Sequence, residues 1–129
     1  MSSALLFVYG TLRAGFDGPM ARWLRSVAPV LGRATACGAL YRGDTYPGFV
    51  PGDEGVVTGD LFALADPAAL LAQLDEYEEC AAHFPEPHEY RRALVTVQGA
   101  DGPVEAWTYI YARDVAGLQR IAGGDFFGE

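Results

Sequence analysis

The segment 103–112 constrains this chain more than any other, because it is apolar on both sides. Successive side chains of a strand point to opposite faces. Val104, Ala106 and Ile110 then fall on one face, and Trp107, Tyr109 and Tyr111 on the other. A strand covered twice suits a small closed barrel, or a sheet with helices packed on it.

The rest of the chain supplies partners for that strand. Residues 4–9 read as a short buried strand that ends at Gly10. Asp17-Gly18-Pro19 reads as a helix start, followed at helical spacing by Met20, Trp23, Leu24 and Val27, with Pro29 as the stop. Residues 30–41 and 55–64 read as strands, and 46–52, with Pro47 and Pro51, as a stiff apolar loop. Asp66 is a good N-cap with Pro67 at the first helical position, and that helix should run to about Glu78. Residues 90–98 and 103–112 should pair as a hairpin across Ala100-Asp101-Gly102, with a short helix over 115–121 after them. This order reads as α+β rather than doubly wound. With no linker and no internal repeat, residues 1–129 are expected to form a single domain.

Composition narrows the function. Half of the residues are hydrophobic, enough to fill a core without a disulfide or metal. Seventeen acids against nine bases, with no lysine, leave a net charge of −8. That argues against a nucleic-acid partner, which needs a cationic stripe, and against anionic membrane surfaces. Cys37 and Cys80 are expected as reduced, largely buried thiols. The apolar run 4–8 is too short for a signal peptide or a membrane span, so a cytoplasmic home follows by default.

One acid stands on the wrong side of its helix. At about 100° per residue from Leu70, Leu71 falls near 100°, Leu74 near 40° and Tyr77 near −20°, one apolar stripe. Asp75, Glu76 and Glu79 fall outside it, whereas Glu78 falls inside, near 80°. Burial and the helix C-terminus both disfavour a charged carboxylate, so the pKa of an inward Glu78 rises toward the range useful for proton transfer. The alternative is that the helix stops before Glu78 and its side chain turns to solvent.

Gly10 and Thr11 follow the first strand, and such a turn exposes backbone N–H groups able to hold an anion or a carbonyl oxygen. The blander reading is a simple turn. Neither a Walker loop nor a dinucleotide fingerprint is present. His83 and His88 lack the spacing and further ligands of a zinc site, and Cys80 has only His83 nearby as a base. Tyr46 and Tyr90 read as core or rim aromatics that could line a pocket.

Phe7-Val8-Tyr9-Gly10-Thr11-Leu12-Arg13, Leu74-Asp75-Glu76-Tyr77-Glu78 and Tyr90-x-Arg92 together resemble the gamma-glutamylcyclotransferase-like superfamily, in its AIG2-like, gamma-glutamylamine cyclotransferase branch. Val57-x-Gly59-Asp60-Leu61-Phe62 and Ile121-x-x-Gly124-Asp125 support the resemblance, which spans nearly the whole chain. It departs from the pattern at Phe126, where bacterial relatives often carry Trp, and in a longer stretch 80–89. The resemblance implies a small mixed β-barrel with packed helices. It implies that Tyr9, Gly10, Thr11 and Leu12 bind a gamma-glutamyl group and that Glu78 is the catalytic acid/base; Tyr46 and Tyr90 are expected beside the substrate as pocket aromatics. The implied substrate is a small gamma-glutamyl compound, split without a cofactor into 5-oxoproline and a free amine. Two rivals stand beside that reading: a non-catalytic module binding a small ligand or a protein, and a different acyl transfer on the same scaffold.

Overall fold

The structure, a computed structural model, describes residues 4–13, 15, 17–42 and 46–126. Its elements run β1 (Leu5–Val8), α1 (Pro19–Val27), β2 (Val30–Arg42), β3 (Pro47–Ala63), α2 (Pro67–Tyr77), β4 (Tyr90–Gly99), β5 (Gly102–Tyr111) and β6 (Gln119–Arg120). Antiparallel pairings link β1 to β3, β3 to β2, β2 to β4 and β4 to β5, and a parallel contact of Leu6 with Trp107 returns β5 to β1. The circle closes a five-stranded barrel, with β6 added at the Tyr41–Arg42 end of β2. This α+β architecture is the small mixed barrel with packed helices that the resemblance implied.

Strand alternation sorts the core into two layers. Phe7 of β1 and Tyr9 just after it point into the barrel, where they meet Phe49, Leu40, Val57 and Ile110. Leu6 and Val8 point outward and are buried under Leu24 of α1 and Leu70, Leu71 and Leu74 of α2. β5 divides the same way. Ala106 and Ile110 fill the barrel, while Tyr109, flanked by Trp107 and Tyr111, packs in the helix layer. Both faces of this strand are therefore covered, one by the barrel interior and one by helices.

Three expectations are corrected. Residues 47–51 are strand rather than loop, paired with 38–42 of β2 and touching β5 through Phe49 and Ile110. The prolines are tolerated because Pro47 opens the strand and Pro51 faces a register shift at Gly38, positions where a missing N–H does little harm. No helix forms over 115–121. The Asp114 carboxylate accepts from the Ala116 N–H, Gly117 takes a positive φ of 86°, and the chain then joins β2 as β6. Cys37 is exposed and Cys80 half-buried, both as free thiols, because Cys37 points out of β2. No helix among the described residues is long and apolar enough to cross a membrane.

Candidate active site

The chain leaves β1 at Tyr9 and turns at once, with the Arg13 N–H donating to the Gly10 carbonyl at 3.1 Å. Gly10 is required by contact, since a Cβ there would lie 2.8 Å from Cγ of Pro47. Among the described residues, no turn or loop backbone bond is donated by Gly10, Thr11 or Leu12. Arg13 anchors the turn from below. Almost wholly buried, it bonds Asp60 of β3 at 3.3 Å and Asp125 of the tail at 2.7 Å. Asp125 is brought there by Gly124, whose carbonyl accepts from the Thr58 N–H at 2.7 Å and whose missing side chain lets the chain pass against Val56.

The acid arrives from the opposite wall. α2 ends at Tyr77, and Glu78 is its C-cap, with φ −83° and ψ −1° still in the right-handed region. The helical direction thus carries one residue past the helix, and Glu78 faces the cavity as the wheel predicts. Glu79 then reverses the chain at φ 58°. The Glu79 N–H donates to the Glu76 carbonyl at 3.2 Å and the Cys80 N–H to the Asp75 carbonyl at 3.0 Å. That pair of bonds is a Schellman closure, with glutamate where glycine is the usual choice.

The two walls face each other across a cavity of about 390 Å³. The expected site residues all line it: Tyr9, Gly10, Thr11 and Leu12 from the turn, Glu78 from the end of α2, and Tyr46 and Tyr90. Burial pushes the Glu78 carboxyl up to about 7, and the neighbouring Glu89 carboxylate adds to the shift. Tyr9 is raised well above its ordinary value by burial, as is Tyr90, so both remain neutral phenols. Their hydroxyls are engaged by backbone: Tyr9 donates to the Tyr109 carbonyl, and Tyr90 to the Pro47 carbonyl at 2.8 Å. Tyr77, pushed up to about 12 mainly by burial, faces the hydroxyls of Tyr46 and Thr11.

Several contributors carried no sign in the sequence. Thr108 lines the cavity and donates to the Phe7 carbonyl at 2.8 Å, a bond that ties β5 to β1. Phe84, His88, Glu89 and Arg113 form the outer part of the cavity, and the Arg113 guanidinium donates to the Pro87 carbonyl at 3.1 Å. Asp75 accepts from Arg92 Nε at 2.8 Å, from Arg92 Nη2 at 3.2 Å and from the Tyr109 hydroxyl at 2.7 Å. Asp75 and Arg92 carried a signal through the motifs that contain them, and His88 only through its place five residues after His83. The other two candidates lead elsewhere. His83 pairs with Glu76 rather than with Cys80, and burial pushes the Cys80 thiol up to about 11, unlike an activated nucleophile.

The profile of one family, Gamma-glutamyl cyclotransferase, AIG2-like, matches residues 6–127. The chain belongs to that family. A gamma-glutamylcyclotransferase family protein of Escherichia coli K12, YtfP, is 35% identical over 123 residues, 94% of either chain. The solution structure of E. coli ytfP superposes with a TM-score of 0.64 at 34% identity, covering 95% of each chain. The gamma-L-glutamyl-butirosin B gamma-glutamyl cyclotransferase of Niallia circulans is 29% identical over 110 residues, 84% of this chain and 67% of that one. The bovine gamma-glutamylaminecyclotransferase is 30% identical over 121 residues, 84% of this chain and 66% of its own.

Proposed function

We propose that this family member is a cyclotransferase that releases 5-oxoproline and a free amine from a gamma-glutamyl amine, with Glu78 as general acid and base. The observation that carries the reading is a half-buried carboxyl, pushed up to about 7, that lines the same cavity as the turn 9–12. The names of the butirosin and bovine relatives point to the same substrate class.

The reaction is an intramolecular aminolysis. The α-amine of the gamma-glutamyl group attacks its own γ-carbonyl, the C–N bond to the leaving amine breaks, and a five-membered lactam remains. Both reactants belong to one substrate, so the protein contributes orientation. The attacking nitrogen must lose a proton and the departing nitrogen must gain one. A carboxyl that titrates near neutrality does both in turn. The N–H groups of Gly10, Thr11 and Leu12 are suited to the substrate carboxylate or to the oxyanion as it develops. Tyr9 and Tyr90 shape the floor, and Tyr46 with Phe84 borders the space for the departing amine.

Glu78→Gln preserves shape and removes the base. Release of 5-oxoproline from a panel of gamma-glutamyl amines should fall by about 100-fold or more in this variant. Equal rates for variant and wild type would remove Glu78 from the mechanism.

A further inference from the structure

Tyr109 is bonded to both walls of the cavity. Its carbonyl accepts from the Tyr9 hydroxyl at the base of the turn. Its own hydroxyl donates to Asp75, which lies on the last turn of α2, three residues before Glu78. We propose that Tyr109 is a positioning residue that sets the separation between the turn 9–12 and the Glu78 carboxyl, acting through Asp75. The inference rests on the reading of Glu78 given above.

The geometry favours Tyr109 as the spacer. It is 4% exposed and packed between β1 and α2. A phenol ring is rigid from Cβ to oxygen, so one end of it fixes the other. Arg92 also holds Asp75, but through a long stem with several rotatable bonds, its guanidinium carbon 4.6 Å from the Trp107 ring centroid. Arg92 supplies charge and Tyr109 supplies distance. The Asp75 backbone carries the same placement forward, because its carbonyl closes the Schellman turn that follows Glu78. Burial first, then the bond to Asp75, holds the Tyr109 phenol far above its ordinary value, so it stays a donor at any working pH.

The test compares wild type with Tyr109→Phe, Asp75→Leu and the double variant. Two readouts are followed on folded protein: 5-oxoproline release from a gamma-glutamyl alkylamide, and the titration midpoint of Glu78 by carbon-13 NMR. Tyr109→Phe keeps the carbonyl that Tyr9 uses and loses only the bond to Asp75. It should lower kcat by roughly ten- to a hundredfold, with KM within about twofold. The Glu78 midpoint should fall from about 7 toward the ordinary carboxylate range as the side chain gains water. The double variant should be no worse than the poorer single one. A purely structural tyrosine would reduce the amount of folded protein and leave both readouts unchanged per folded molecule.

Unchanged kcat and midpoint in Tyr109→Phe overturn the proposal, and so do fully additive losses. Should Tyr109→Phe fail to fold, Asp75→Leu, which has no acceptor for the Tyr109 hydroxyl, carries the same two readouts, and unchanged values there overturn the proposal equally. If wild type releases no 5-oxoproline from any gamma-glutamyl amine, the reading of the function fails separately, and the Glu78 midpoint alone decides the role of Tyr109.

Discussion

Two arginines support the two walls of the cavity under different conditions. Arg13, below the turn after β1, has a side chain only 3% accessible. Arg92, beside the end of α2, is 28% accessible, and its partner Asp75 20%. The Arg13 partner Asp125 is 29% accessible, but Asp60 only 13%, so loss of the guanidinium costs most at Asp60, whereas the wetter Arg92 pair is rescued by solvent. The backbone differs in the same sense. The turn at Gly10 sits on the barrel without a positive φ, while the acid wall passes through Glu79 in the left-handed region. One wall is a foundation of the fold; the other is a strained bracket for a side chain.

The largest expected effect tests that contrast directly. Arg13→Met should destabilise the protein by about 3–5 kcal/mol, read as a lower urea midpoint, because Asp60 loses its buried partner. Arg92→Met should lose only about 1 kcal/mol. Equal losses would erase the distinction between the walls.

The next effect reverses the usual sign. The Glu78 carboxyl is raised from 4.5 to about 7 in the fold, so folding favours its protonated form. Its contribution is fully present below pH 4.5 and is lost as pH rises through 7. Glu78→Gln does not titrate there. The variant should therefore gain on wild type by on the order of 1–2 kcal/mol between pH 4.5 and pH 8, discounted for partial exposure. Melting curves across that range check it, and a flat difference would mean that Glu78 is not desolvated.

The smallest effect sharpens the bracket. A glutamate at φ 58° carries a penalty that glycine avoids. Glu79→Gly should raise stability by about 0.5–1 kcal/mol in thermal or urea unfolding. A loss instead would show that the Glu79 side chain contributes more than its backbone strain removes.

What the sequence revealed was local. Alternation in residues 103–112 correctly demanded cover on both faces, and the wheel through Leu70, Leu74 and Tyr77 correctly turned Glu78 inward. The turn at Gly10 was visible as a strand ending in glycine. What escaped was long-range or depended on pairing. Nothing near Arg13 marks partners 47 and 112 residues away, because a charged residue carries no local sign of its salt bridge. Residues 47–51 looked like a loop because proline punctuates isolated segments, and only the shift opposite Gly38 makes proline harmless there. The tail looked helical from its apolar spacing, yet the Asp114 turn and pairing with β2 prevailed.

The closure of the barrel has a consequence for synthesis. β1 is only four residues long, and it is held between β3 and β5, more than 50 and about 100 positions downstream. The turn 9–12 is therefore made early and completed late. Until Trp107, Thr108 and Tyr109 have left the ribosome, the N-terminal wall has β3 beside it but lacks both β5 and the acceptor for the Tyr9 hydroxyl. Contacts of such separation form slowly, since the loop they close must be ordered first. A nascent chain stalled before β5 would hold Glu78 and the turn in one molecule and still have no site.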